Sequence, residues 1–408
     1  MTRDRGGSSN GGERGHHAGE PDGNHDGEPD GEHDDGAEDR ITRPEVVLVT
    51  GFPAFSARRM ALEILARDGE ARVFLLARAK FADAARELAA SLPPAQGARI
   101  EVIEGDVCDM DLGLSGREYA TLAGEITSIQ HMAGIYYMGV DRATARRVNI
   151  DGTRGVIELA GDAARLRRLV HWSTAAVSGR RKGVILEEEL DEGQSFHNVY
   201  EETKFEAEKL VRAAQRSLPI TILRPGIVVG DSTTGEIDKL DGPYYLMVLL
   251  STNLLQMRMQ MPGKGTAPLH LVPIDFVTAA GYRLWRDERA VGRTFHLTDP
   301  NPLPARRVYQ LVAELSEGKV ARGFLPAGLA RTLLRTPGLE RLTRSPMGSL
   351  ESFDRPCFYN CRNAMALLQE DGTSCPPFDS YAENLVQYVR GVHARQQKLD
   401  DEVFDPFD

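Results

Sequence analysis

Between Glu45 and Pro225, six short apolar runs of strand length alternate with stretches whose apolar residues recur at helical spacing. The runs are EVVLV at 45–49, ARVFLLA at 71–77, ARIEVIEGD at 98–106, EITSIQHMA at 125–133, LRRLVHWS at 166–173 and LPITILRP at 218–225. Stretches such as FADAARELAASL and ATARRVNIDGTRGVIELAGDA fall between them. Parallel neighbours need a long crossover, and strands covered on both faces read as near-continuous apolar runs. The alternation therefore predicts an α/β fold, a Rossmann-type doubly wound parallel sheet. After Gly230 the rhythm breaks into Gly- and Pro-punctuated sequence, from which LHLVPIDF and RTFHLTDP read as returns to the sheet. From Asn301 the pattern is mostly helical. The expected division is a disordered tail over 1–40, a dinucleotide-binding domain over 41–300 and a smaller helical substrate lobe over 301–408. Residues 231–268 are expected to contribute to that lobe.

Composition separates the first 40 residues from the rest of the 408. They hold ten glycines, twelve acids, four histidines and four arginines with almost no apolar side chains. Such a stretch cannot bury enough surface to offset the entropy of ordering it. It carries eight of the chain's eleven net negative charges, so the remainder is near neutral and a nucleic-acid partner is not expected. His16, His17, His25 and His33 are spaced as in a solvated tail, and no metal site is expected. Cys108, Cys357, Cys361 and Cys375 show no paired metal spacing and read as reduced thiols of a cytoplasmic protein. No basic-then-apolar signal opens the chain. The longest apolar run, from Tyr244 to Met257, is interrupted by Ser251, Thr252 and Asn253 and is too short to span a bilayer.

Strand, tight turn and helix meet at VTGFPAFSARR, Val49 to Arg59, where a Gly-rich loop would hold a pyrophosphate. Gly51 can make the turn. Ala57 is tolerable where only helix–strand packing is set, whereas Ala54 puts a Cβ where phosphate should approach backbone. Pro53 reads as a residue of the helix's first turn, where a missing N–H costs little. The helix N-terminus offers N–H groups and the positive dipole end. The second run ends at Arg78, where an NAD-selective site would place an acid for the ribose hydroxyl, and an arginine there suits a 2′-phosphate. Asp106, closing the third run, reads either as a contact to the adenine edge or as a turn residue.

Tyr200 and Lys204 lie four apart in VYEETKFEAEKLVRAA and share one helical face. An ammonium near a phenol lowers its pKa, which predicts Tyr200 as a proton donor coupled to Lys204. HWSTAAVSG places Ser173 and Thr174 at the carboxyl edge of the sheet, where open α/β folds bind ligands. A hydroxyl there can donate to the same carbonyl oxygen.

Taken together, these pieces make a sequence that resembles the extended (atypical) short-chain dehydrogenase/reductases, and within them the thioester reductase and fatty acyl-CoA reductase branch. The matching pieces follow in order: VTGFPAFSA, GDVCDMDLGLS, HMAGIYYMG, RRVNIDGTRGVIELA, VHWSTAAVSG, NVYEETKFEAE and LRPGIVVGD. Counting back from Gly179 makes Thr174 the match for the family's catalytic hydroxyl, 26 residues before Tyr200. The resemblance implies catalytic roles for Thr174, Tyr200 and Lys204, with Asn149 anchoring a water or backbone group behind them. It implies NADPH, favoured over NADH, along the sheet's carboxyl edge. Thr50, Gly51, Pro53, Ala54 and Phe55 would face the pyrophosphate, with Arg78 and Arg58 at the 2′-phosphate. Asp106 and Val107, Ala133 and Gly134, Tyr200 and Lys204, and Pro225 and Ile227 would line the rest. The implied reaction is NADPH-dependent reduction of an acyl thioester, on coenzyme A or a carrier protein, or of a related carbonyl. Ala54 and the Tyr136–Tyr137 pair depart from the family pattern and bear on cofactor affinity more than on fold.

Two other readings share these residues. An NAD-dependent sugar-nucleotide epimerase or dehydratase uses the same Thr/Tyr/Lys set but favours an acid where this chain has Arg78. A non-catalytic NADP-binding sensor would suit the degenerate turn but has no need of all three groups. The basic and apolar faces of Phe324–Arg344 would allow peripheral membrane contact, although such a stretch more often packs on its own domain.

Overall fold

Seven strands form the central sheet of the computed structural model, which describes residues 44–136, 140–238, 261–262, 265–316, 324–325 and 355–403. They are β1 (Val46–Phe52), β2 (Arg72–Ala77), β3 (Ile100–Glu104), β4 (Ser128–His131), β5 (Arg168–Trp172), β6 (Ile220–Pro225) and β7 (Thr294–Leu297). Their order across the sheet is β7-β6-β5-β4-β1-β2-β3, and every neighbouring pair is parallel. The order reverses between β1 and β4, so a crevice opens outside their carboxyl ends. All six strands expected before Pro225 are present. RTFHLTDP supplies the seventh. LHLVPIDF does not return to this sheet: Leu271–Pro273 pairs instead with Ile227–Val229 in a separate two-stranded ribbon.

The continuous apolar runs are explained by cover on both faces. Val47, Leu48 and Val49 are wholly buried, which contributes about 1.5–3 kcal/mol for each such side chain. One face receives α1 (Phe55–Arg67) through Ala57, Met60, Ala61, Ile64 and Leu65. The other receives α3 (Gly116–Glu125), α4 (Gly152–Asp162) and α5 (Val199–Ala214), where Leu122, Leu159 and Val211 meet Leu48 and Ile129. α2 (Ala79–Ser91) crosses between β2 and β3. Before α4, Arg142–Arg146 forms a short helix that continues through a π-helical turn at Arg147–Asp151.

The boundary expected at residue 300 is not a boundary of packing. Ala364, Leu367 and Leu368 of α8 (Arg362–Leu368) join the same core as α1 and α6 (Ile274–Arg286). The strand Cys357–Tyr359 pairs in parallel with Gly183–Ile185, just beyond β5. A separate cluster joins α7 (Ala305–Leu315) and α9 (Ala382–Val403) to Val229, Leu269 and Leu271. The expected substrate lobe thus shares its core with Val229, Leu269 and Leu271. The tail 1–40, the run from Tyr244 to Met257, Tyr137 and most of Phe324–Arg344 lie outside the described residues. No helix among the described residues is long and apolar enough to cross a membrane.

Candidate active site

At the β1–α1 turn, Gly51 adopts φ +98°, and a Cβ on it would lie 2.8 Å from the backbone of Met132 and Ala133. Only glycine lets the end of β4 approach this closely. The Thr50 hydroxyl accepts from the N–H groups of Met132 and Ala133, both at 3.1 Å, and bonds His131 Nδ1 at 3.0 Å. Thr50 therefore fixes the turn from beneath. Ala54 is the N-cap of α1 and makes no side-chain cap bond, while its own N–H donates to Gly51 O at 2.9 Å. Pro53 stands before the cap and not in the first turn as expected, because the helix begins only at Phe55.

Two arginines expected at the 2′-phosphate part company. Arg78 occupies the N-cap position of α2, exposed, its guanidinium 5.2 Å from the Phe81 ring centroid. Arg58 is instead ion-paired with Asp238. Asp106 acts as a turn residue, accepting from Cys108 N–H at 3.0 Å, and Val107 is buried in the core against Gly152.

Asn198 caps α5 by accepting from Glu201 N–H at 3.0 Å, so Tyr200 falls in the first turn and Lys204 one turn later. Thr174 ends the extended segment after β5 and caps the short helix Ala175–Ser178, its Oγ1 accepting from Ala176 N–H at 3.2 Å. That leaves the Thr174 hydroxyl free to donate, and it stands close enough to the Tyr200 phenol to favour the ionised form. Ser173 points elsewhere: its Oγ donates to Glu208 at 2.6 Å. Of the two candidate hydroxyls, Thr174 is the one brought to Tyr200.

Asn149, buried in the π-helical turn, accepts from Ile135 N–H at 2.8 Å and donates to Ile135 O at 3.2 Å and Thr203 Oγ1 at 2.9 Å. It ties the chain after β4 to α5. Gly134 faces this anchor, since a Cβ there would come 3.3 Å from Asn149 Oδ1 and 3.9 Å from Lys204 Nζ. Ala133 is buried beside it. Pro225 ends β6, and Ile227 begins the short ribbon after Gly226, where a Cβ would lie 2.6 Å from His270 O.

The electrostatics depart from the expected coupling. Burial raises the Tyr200 pKa above its ordinary value; the Thr174 hydroxyl and nearby Arg355 oppose it, and Glu201 and Tyr136 reinforce it. Lys204 donates to Trp172 O at 2.8 Å, and burial lowers it to about 8, with Glu208 acting the other way. Lys204 is not among the groups that shift the phenol most. Burial wins on both groups. Behind Lys204 lie His131 and His171, with ring centroids 5.4 Å apart. Burial, with Lys204 adding, pushes His131 down to about 3 and His171 well below its ordinary value.

The sequence reading missed Glu208 and Arg355. Glu208 has no exposed surface and sits eight residues after Tyr200 on the same helical face, bonded to Ser173 and Arg212 and ion-paired with Arg224 at 2.6 Å. The continuing four-residue spacing was the available signal. Arg355 pairs with buried Glu201, and no local pattern announces it.

Residues 49–280, more than half of the chain, match the family profile of NAD-binding domains described as Male sterility protein. A linear gramicidin synthase polypeptide of Brevibacillus parabrevis is 28% identical over 325 residues, 72% of this chain and 6% of that protein. Fatty acyl-CoA reductase wat of Drosophila melanogaster is 27% identical over 274 residues, 57% of this chain and 52% of that protein. The chain spans about half of the second relative's length and a small part of the first. Among solved structures, the terminal R domain from the myxalamid PKS-NRPS biosynthetic pathway superposes with a TM-score of 0.75 at 28% identity, over 86% of this chain and 92% of that one.

Proposed function

Because the chain belongs to the Male sterility protein family of NAD-binding domains, matched over residues 49–280, we propose that it is an NADPH-dependent reductase of an acyl thioester borne by coenzyme A or a carrier protein. The observation that carries this reading is the meeting of the Thr174 and Tyr200 hydroxyls at the carboxyl end of β5, with Lys204 one turn further along α5. Likeness to a fatty acyl-CoA reductase and to a terminal R domain supports the thioester as substrate.

The residues present fit a dinucleotide. Gly51 and Gly134 both lack a Cβ where backbone or site groups stand close, and α1 opens without a side-chain cap. Gly51 to Ala57 would hold the pyrophosphate, Arg78 the 2′-phosphate, and Lys204 with Gly134 the nicotinamide end. Arg78, where an NAD site would carry an acid, supports NADP over NAD. When bound, the cofactor supplies a hydride to the substrate carbonyl carbon.

Tyr200 and Thr174 then serve the carbonyl oxygen. A raised pKa keeps Tyr200 protonated at neutral pH, the state a donor needs. Its proton passes to the oxygen as the carbon accepts the hydride, giving a hemithioacetal. Cleavage of the C–S bond releases an aldehyde and a free thiol. Thr174, held by Ala176 N–H, directs a second hydrogen bond at the developing oxyanion, and one such donor is worth about 10²–10³ in rate. Asn149 keeps the 134–136 chain and α5 in register behind the site. The cluster that joins α7 and α9 to Val229, Leu269 and Leu271 is the proposed substrate lobe.

The test is turnover of octanoyl-CoA by the full chain, followed through loss of NADPH absorbance and release of free thiol. Thiol release with NADPH, weaker with NADH and abolished in Tyr200→Phe at nearly unchanged NADPH affinity, is the expected result. Consumption of a free aldehyde but of no thioester would overturn the assignment, as would failure to bind either cofactor at millimolar concentration.

A further inference from the structure

The strongest unassigned feature beside the site is a charge pair delivered from the far end of the chain. Arg355 is ion-paired with Glu201, the residue that follows Tyr200, and their side chains are 13% and 1% exposed. Glu201 is held from the other side by His197, whose N–H donates at 3.0 Å and whose Nδ1 lies 2.9 Å away, and by Asn198 Nδ2 at 3.3 Å. The residues after Arg355 are fixed equally firmly. Pro356 O accepts from Gly183 N–H at 2.9 Å, and Cys357–Tyr359 pairs with Gly183–Ile185. The Tyr359 hydroxyl bonds Ser178 Oγ at 3.0 Å, on the helical turn that Thr174 caps. One segment therefore grips both catalytic hydroxyls' supports, the first turn of α5 and the turn after Thr174. The guanidinium is also incompletely used: Arg355 Nε is buried without a hydrogen-bond partner among the described residues.

We propose that Arg355 is a positioning residue for Tyr200, clamping the first turn of α5 through Glu201 and placing a cation beside the phenolic end of the site. The inference rests on the reading of Tyr200 as the proton donor. Lys204, which the helical spacing offers for that electrostatic role, is turned to the Trp172 carbonyl. The groups that act most on the phenol are Thr174, Glu201, Arg355 and Tyr136, and those that act most on the guanidinium are Glu201, Tyr359 and Cys357. Arg355 favours the phenolate and Glu201 disfavours it.

The test titrates the phenol itself and needs neither cofactor nor substrate, so an inactive protein still answers it. Ring-fluorinated tyrosine, a stronger acid, is incorporated at Tyr200 in the full chain, and its fluorine NMR shift is followed with pH. Arg355→Gln is expected to raise the midpoint by about half a unit or more, roughly a threefold gain in proton affinity, and Glu201→Gln to lower it by a similar amount. Arg355→Lys, which keeps the charge, is expected to hold the wild-type midpoint. If Arg355→Gln does not fold, Glu201→Gln and Arg355→Lys carry the same test. A midpoint that stays put in Arg355→Gln or Glu201→Gln, or that moves in one direction for both, overturns the proposal, as does a shift in Arg355→Lys as large as that in Arg355→Gln.

Discussion

Replacing Lys204 by methionine is expected to stabilise the protein while removing its activity. Lys204 is 6% exposed, and burial lowers its pKa from 10.5 to about 8. A displacement of that size corresponds to about 3 kcal/mol of extra cost for carrying the charge in the fold, at roughly 1.4 kcal/mol per tenfold change. Its sign fixes the pH window. The unfolded chain keeps this proton up to 10.5 and the folded chain only to about 8, so the unfolded state binds more protons between those values. Stability therefore rises with pH through that window, and the full cost stands below about pH 8. Methionine is unbranched and adaptable in a core but gives up the 2.8 Å charge-assisted bond to Trp172 O, a loss of about 2 kcal/mol. The net expectation is a gain of about 1 kcal/mol near pH 7 that is gone well before pH 10. Urea unfolding of Lys204→Met and wild type, without cofactor, at the two ends of that window measures it. A variant less stable than wild type near neutrality, or a difference unchanged with pH, would refute the claim that Lys204 carries a buried charge.

Gly51→Ala should lower stability by about 1–3 kcal/mol and abolish cofactor binding, since a residue at φ +98° would be strained and its Cβ would press on the Met132–Ala133 backbone at 2.8 Å. Thermal unfolding and NADPH fluorescence read the two effects. Arg78→Ala should weaken NADPH by roughly tenfold, the worth of a charge-assisted hydrogen bond, and leave NADH nearly unchanged in the same titration. Glu208→Gln should destabilise by about 3–5 kcal/mol in urea, because it leaves Arg224, 1% exposed, without its carboxylate. Burial opposes the Glu208 charge, but Arg224, Arg212 and Ser173 hold its pKa below the ordinary value. The stabilisation is accordingly present above the unfolded carboxylate range and lost as pH falls through the folded pKa.

Strand positions were legible because a parallel strand buried on both faces writes itself as an unbroken apolar run, as VVLV and RVFLLA do. LHLVPIDF carries the same local signal yet joins a different ribbon. Its partner is chosen by the approach of Gly226 to within 2.6 Å of the His270 carbonyl, measured from where a Cβ would stand, and that is a tertiary fact. The Tyr200, Lys204 and Thr174 positions were legible from spacing and family pattern. Their electrostatics were not, because spacing reports that two groups share a face and is silent on how deep they lie. Depth decides here: it lifts the phenol and lowers the ammonium, and Lys204 turns to a main-chain carbonyl. The Arg58–Asp238 pair was illegible for a related reason, since nothing near Arg58 in sequence points to Asp238.

The same helix explains why the hydroxyls meet at all. Tyr200, Lys204 and Glu208 recur at intervals of four, one stripe that faces the ends of β5 and β6. Along that stripe the contacts grow more constrained with depth. Glu208 binds Arg224 from β6 and Ser173 from the end of β5, and Lys204 binds the Trp172 carbonyl. Tyr200 then reaches Thr174, the residue after Ser173. A buried ion pair is weak evidence of net stability, because desolvation offsets much of the attraction. Its directional bonds nevertheless fix the rotation of α5 about its own axis, and a rotation error at Glu208 would swing Tyr200 off Thr174. Ser173 and Thr174 therefore divide the work: one hydroxyl locks the helix to the strand, and that lock aims the other at the phenol.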